Sequence, residues 1–313
     1  MASQTPIHII TVKQLASATG PAPVGSSYVI QDNQANIQKG LANLFTKLSD
    51  YSAIQITPSV TTLTVASANL AKYAAVLQKI ATGYTNLSVT GTINASQALS
   101  LEGYSTGFLK NLAAPLAVSD SVANILKNAA ALNILFSAAA LNNTNELSSV
   151  SVKGALTAAN LKLLENQSFA ADVNLNGNLV SGKLSVKDAL FVSAQNGKYT
   201  QIGDTAGHIE SSSAGVQAAL GSVGGIYVTG PVAASDLDNF SSAGYAGKVN
   251  LSGATISGNL TVAEAGFAHA QKGVYAALSD TVAHLESTAA GMQTAISAAS
   301  GKIYLTEIGR AHV

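Results

Sequence analysis

Residues able to do chemistry are sparse in this sequence, and most of them recur. His208 stands two residues before Glu210, and His284 stands two residues before Glu286. Imidazole and carboxylate together could ligate a metal, but positions i and i+2 point to different sides of a helix. No HExxH run and no cysteine completes such a site, so no metal or cofactor is expected here. Asp32 and Asp120 carry Asn36 and Asn124 where Asp204 and Asp280 carry His208 and His284. An amide can replace the ring there, which favours a structural role. Asp236 and Asp238 form the most isolated carboxylate pair and could serve as acid and base of a glycosidase or lyase. The run SDLDNF also reads as the start of a short helix, where acidic residues are favoured, and that reading is the stronger one. GxGxxG, Walker A and GxSxG motifs are absent, so nucleotide binding and hydrolase triads have no support, and no catalytic residue is assigned.

The elements that position these residues are repeats. Val173–Leu220 aligns without gaps on Val249–Ile296, an offset of 76 residues, and 23 of the 48 positions are identical. A match of this length is a duplication, the mark of solenoids and arrays. Weaker copies lie upstream, around YVIQDNQANI and LAVSDSVANI. The anchoring aspartates Asp32, Asp120, Asp204 and Asp280 are 88, 84 and 76 residues apart. After each, the residues five, nine, twelve and sixteen positions on are Ile37, Leu41, Leu44 and Leu48; Ile125, Ala129, Leu132 and Phe136; Ile209, Ser213, Val216 and Leu220; Leu285, Ala289, Met292 and Ile296. That spacing predicts one apolar helix face after each aspartate, with Ser213 its one polar member. Each aspartate is therefore expected to N-cap its own helix, which should begin within about two residues of it.

Short runs rich in Val, Ile, Thr and Tyr precede and separate these helices: SVTTLTV, NLSVTG, SSVSVKG, GIYVTG and KIYLT. They read as strands. Strands alternating with one-sided helices imply parallel pairing with right-handed crossovers, because parallel neighbours need a connection of helix length. The expected fold is α/β, a repeat βα solenoid with a parallel sheet and super-repeats of 76–88 residues. The array covers residues 1–306 in units of about 1–88, 89–151, 152–227 and 228–306. Gly177 and Gly182, echoed by Gly253 and Gly258, are expected at turns with positive φ or close approach. Tyr28, Tyr199 and Tyr275 recur in repeat register and are expected to pack at strand ends.

The phrases SDSVANILKNAAAL, GDTAGHIESSSAG and SDTVAHLESTAAG, each following a strand, resemble the Ala/Ser/Thr-rich βα repeats of very large proteobacterial surface or secreted proteins, the haemolysin-type or adhesin-like β-strand repeat proteins. The resemblance spans residues 1–306 and is one of fold, not of catalysis. It implies a structural or interaction segment displayed outside the cell, frequently exported by type I secretion through a C-terminal signal that is missing here. It also implies calcium-binding nonapeptides elsewhere in such a chain; no GGxGxD run occurs in this one, so a calcium-dependent toxin region lacks its motif. A carbohydrate-binding or carbohydrate-active solenoid is the alternative. An enzyme would need a break in the repeat with convergent polar groups, and Gly91–Leu116 is the least regular stretch.

Composition narrows the partners. Sixteen basic residues balance sixteen acidic ones and charged residues make up only 10% of the chain, so no field draws it to nucleic acid. Apolar runs are too short to insert in a membrane. A polar surface rich in Ser, Thr and Asn suits cell-surface polysaccharide or self-association. The final IGRAHV matches one reading frame of a widely used sequencing adapter, and Arg310 within it is the sole arginine. Residues 307–313 are therefore expected to be a non-native tail.

Overall fold

The computed structural model describes residues 7–20, 23, 26–57, 61–80, 85–102, 115–137, 147–211, 213–286 and 290–306. The tail 307–313 and residues 103–114 of the irregular stretch lie outside them. The chain divides into two compact units: Met1–Gly154 with Asn166–Asn176, and Ala155–Glu165 with Gly177–Val313. Both are mixed α/β, and every strand pair among the described residues is parallel.

With strands numbered in chain order, the first unit holds β1 (Ile7–Ile10), β2 (Ser27–Asp32), β3 (Tyr51–Ile56), β4 (Thr61–Ala66), β5 (Thr85–Thr90), β6 (Leu116–Ser121), β7 (Leu147–Lys153) and β9 (Val173–Asn174). They pair as β1-β2-β3, β4-β5 and β6-β7-β9. The second unit holds β8 (Leu156–Thr157), β10 (Leu179–Leu184), β11 (Lys198–Thr205), β12 (Gly225–Ala233), β13 (Val249–Ser257), β14 (Asn259–Leu260), β15 (Ala277–Asp280) and β16 (Ile303–Leu305). Its sheets run β13-β12-β11-β10-β8 and β14-β15-β16.

Neighbouring strands are joined by a helix, the connection that parallel pairing demands, and follow one another along the chain except at β7-β9 and β8-β10, which interleave. Register stacks like upon like. Ile10, Ile30 and Ile54 are successive partners in the first unit, as are Val118, Val150 and Val173. In the second, Leu184, Ile202, Ile226 and Val249 form the same kind of row. Ile30, Ile54, Val118, Val150, Leu184, Ile202 and Ile226 are fully buried. Each added strand thus extends an aliphatic column that the helices cover, and burial of such side chains contributes about 1.5–3 kcal/mol apiece.

The helices begin two residues after each aspartate, at Gln34, Val122, Ala206 and Val282. The first runs unbroken over Gln34–Thr46, burying Ile37, Leu41 and Leu44, but ends before Leu48, the last position of its expected face. The others are split into Val122–Lys127 and Ala129–Ser137, Ala206–Ile209 and Ala214–Ser222, and Val282–Leu285 and Ala290–Ala298. The physical reason is visible at Ser213. Its hydroxyl accepts the Val216 N–H and caps a new helix, so the polar exception in the face marks an interruption. Positive φ occurs at Gly177, Gly182 and Gly258 but not at Gly253, which continues β13.

Close helix packing in the first unit depends on Gly40. A Cβ there would collide with the Val12 side chain of the preceding helix. Gly40→Ala is expected to destabilise the protein by about 1–3 kcal/mol, despite the better helix propensity of alanine, as read from the urea unfolding midpoint. Unchanged or raised stability would show that the two helices do not sit this close.

Candidate functional site

Where a strand gives way to a helix, the first helical N–H has no partner within the helix. At four places the next strand supplies one. Asp32 Oδ2 accepts the Val12 N–H at 3.1 Å, Asp120 Oδ2 that of Ala95 at 3.1 Å, Asp204 Oδ2 that of Val186 at 2.9 Å, and Asp280 Oδ2 that of Val262 at 2.8 Å. These four residues open the helices Val12–Ser17, Ala95–Glu102, Val186–Ala194 and Val262–Ala270. Strand register puts each aspartate opposite its target. Ile10 pairs with Ile30, Ile93 with Val118, Leu184 with Ile202 and Leu260 with Leu278, two residues before the N–H and the carboxylate in every case.

The expected capping of each aspartate's own helix is thereby corrected. The cap is the following residue: Asn33, Ser121 and Thr281 each accept the N–H three residues on, while Thr205 occupies that place without such a bond. The aspartate cannot serve its own helix in that way because its Oδ2 is turned to the helix before. Its Oδ1 accepts the adjoining backbone N–H at 2.7–2.9 Å, from Asn33, Ser121, Thr205 and Thr281. A side chain four residues on completes the set. Asn36 and Asn124 donate Nδ2–H at 2.7 and 2.8 Å, and His208 and His284 place Nδ1 at 2.8 Å. The imidazoles are largely exposed, and each donates only in the tautomer that carries its proton on Nδ1. Their recurrence is explained by orientation of a carboxylate. Among the described residues no group of three or more His, Cys, Asp or Glu could hold a metal ion.

Three donors converge on each carboxylate. Burial works against its charge, yet the hydrogen bonds outweigh it, and Asp120, Asp204 and Asp280 all ionise below the ordinary aspartate range. Beside one junction lies a groove of about 600 Å³ lined by Val186, Lys187, Leu190, Asp204, His208 and Val216.

Backbone carbonyls at helix ends, and around the turn Leu48–Asp50 that leads into β3, are met in a related manner. Lys47 Nζ donates to the carbonyls of Leu15 and Ala18 at 2.8 and 2.7 Å, Lys79 Nζ to those of Leu48 and Tyr51 at 2.6 Å, and Lys248 Nζ to that of Gly221 at 2.5 Å. Tyr245 and Tyr275, both buried, donate their hydroxyls to the carbonyls of Ile209 and Ala295. Tyr275 packs as expected. Tyr28 and Tyr199 are only half-buried, the first edge-on to His8 and the second hydrogen-bonded to Ser193 Oγ.

Asp236 and Asp238 lie two residues apart on one helix. Asp236 is the third residue of the helix Ala234–Ser242 and accepts the Ala233 N–H at 2.8 Å, while Asp238 is exposed. Asp236 couples electrostatically to Glu210, whose pKa is pushed up by burial first and by that charge second, and burial and then Asp188 raise Glu165 in the same way. Spacing did not reveal these couples, since their members lie on different elements. The repeat of Asp188 as Glu264 and of Glu210 as Glu286, 76 residues apart, was the available signal.

No protein-family profile, curated protein or solved structure matches the chain.

Replacing Asp204 or Asp280 by Ala should each cost about 1–3 kcal/mol, because the first N–H of the preceding helix, the adjoining backbone N–H and the orienting imidazole lose their shared charged partner together. His208→Asn should change stability by less than about 0.5 kcal/mol, since Asn fills this place at Asp32 and Asp120. Urea unfolding near neutral pH measures both, and equal losses for the two substitutions would contradict the assigned roles. The lowered carboxylate pKa values add a sign. This stabilisation is complete above the unfolded aspartate value of about 3.9 and is lost as pH falls through the lower folded values.

Proposed function

We propose that the chain is a structural and interaction segment, a βα solenoid of the kind used by large secreted or cell-surface bacterial proteins, and that it performs no catalysis. The observation that carries this reading is the fourfold junction: one carboxylate, the first N–H of the helix before it and one orienting amide or imidazole, repeated with nearly the same distances. Such a junction adds one coil to the next and presents equivalent surfaces along the array. Function then resides in repetition, because a stiff series of coils offers length and many weak, equivalent contacts. The partners that suit its balanced charge and polar composition are cell-surface polysaccharide or other copies of the chain. Display outside the cell, export by type I secretion and calcium binding elsewhere in a longer chain follow from the family resemblance.

Binding and turnover on a panel of bacterial and plant polysaccharides, with and without calcium, tests this reading. The expected result is no hydrolysis, and a tandem of two copies that binds more tightly than one. Turnover that disappears in the Asp236→Asn, Asp238→Asn double variant would overturn it in favour of a carbohydrate-active solenoid.

A further inference from the structure

The described strands begin and end with bare apolar edges. Among the described residues β1 pairs only with β2, and β16 only with β15. β1 reads IHII and β16 reads IYL, with no lysine, carboxylate or proline of the kind that blunts an edge. The edge of β4 shows how this molecule covers a strand that is to stay single. Gln38 donates Nε2–H to the Thr64 carbonyl at 2.7 Å and accepts the Thr64 N–H at 2.8 Å, and Gln34 donates to the Thr62 carbonyl at 2.9 Å, so side-chain amides stand in for a neighbour. Among the described residues no side chain does this for β1 or β16.

The repeat says what belongs beside β16. It is the counterpart of β12, because Leu278 pairs with Ile303 and Asp280 with Leu305 as Ile202 pairs with Ile226 and Asp204 with Val228. On its far side β12 takes β13, which sets Val249 opposite Ile226, and Ile226 and Val228 are fully buried. Ile303 and Leu305, with no described strand beyond them, are 49% and 56% exposed. The strand that would cover them is of the kind formed by β13 with β14. That strand leads into the helix Val262–Ala270, whose first N–H is held by the aspartate of the strand after it. β1 is of the same kind: it leads into Val12–Ser17, and Asp32 of β2 holds the Val12 N–H.

β1 also departs from its counterparts in the direction such a contact needs. Ile9, opposite Val29, stands where β10 has Lys183 opposite Gln201 and where β14 has Asn259 opposite Ala277. Lys183 and Asn259 are exposed polar side chains, whereas Ile9 is apolar and 61% exposed, on the same side of its strand as Ile7 at 65%. Parallel crossovers share one hand, so a strand takes its successor on one side and its predecessor on the other. β16 offers the first side and β1 the second. The two edges are unlike and complementary, which makes a contact between them heterologous.

We propose that β16 of one copy of this chain takes β1 of a second copy as its parallel neighbour, so that copies add head to tail. The proposal rests on the reading of the chain as an interaction segment and names the surface and the partner. The new ladder satisfies main-chain groups on both edges, and Ile303, Leu305, Ile7 and Ile9 leave water together.

Sedimentation velocity of the whole chain over a wide range of concentration, with Ile9→Lys and Leu305→Lys beside it, tests the proposal. The unaltered chain is expected to form a concentration-dependent series of species that grows beyond the dimer. Each variant alone should be monomeric, because it has lost one of the two edges; lysine at position 9 is what β10 already carries as Lys183. An equimolar mixture of the two variants should give a dimer and nothing larger, since one intact β16 edge and one intact β1 edge remain between them. A chain that is monomeric at every concentration would overturn the proposal while leaving the absence of catalysis untouched. A dimer that persists in either variant alone would also overturn it, because like edges would then be pairing with like. Where a variant fails to fold, amide exchange of the unaltered chain decides: protection of β1 and β16 should rise together with concentration, and constant protection would contradict the pairing.

Discussion

A helix that starts directly from a parallel strand begins with an N–H that neither the helix nor the ladder satisfies. This small deficit shapes the molecule. The strand that follows is already in register beside the one that ends, so a carboxylate two residues past the last paired position reaches the orphan amide. Asp32, Asp120, Asp204 and Asp280 all do this, and the negative charge also suits the positive end of the helix they touch. At the other end, Lys47, Lys79 and Lys248 bring positive charge to helix carbonyls. Lys79 additionally lies over the Tyr51 ring, and burial lowers its pKa. With charged residues so few, much of the chain's ionic chemistry is spent on joining one strand–helix element to the next.

The orienting group shows which part of the junction is fixed and which can vary. Oδ1 needs a donor four residues along the helix, and either an amide or an imidazole meets that need at 2.7–2.8 Å. The carboxylate itself has no such substitute among the four. An acid is the one side chain that accepts three hydrogen bonds while complementing a helix N-terminus.

Much of the fold was legible because period and residue type agree. The 76-residue duplication, the β-rich runs before each aspartate and the apolar spacing after it gave parallel strands and helices whose starts fall within the expected two residues of each aspartate. The helix interruptions were half legible: Ser213 stood out as the polar exception, but its capping of Ala214–Ser222 depends on local geometry. The role of the aspartates was misread by one position, since an acid before a helix suits its own helix and the preceding one equally well in sequence. Only register across 18–25 residues distinguishes them. The electrostatic couples Glu165–Asp188 and Glu210–Asp236 were hidden for the same reason, because proximity between separate elements leaves no mark in the spacing of either.

Amide hydrogen exchange at the first helical residue tests the central claim most directly. Val12, Ala95, Val186 and Val262 occupy positions whose amides ordinarily exchange fast for want of an intrahelical partner. If the following strand's aspartate holds them, all four are protected, and Asp280→Ala removes protection from Val262 while leaving Val186 as it was. Fast exchange at these amides in the unaltered protein, or loss of protection confined to the helix after Asp280, would contradict the account.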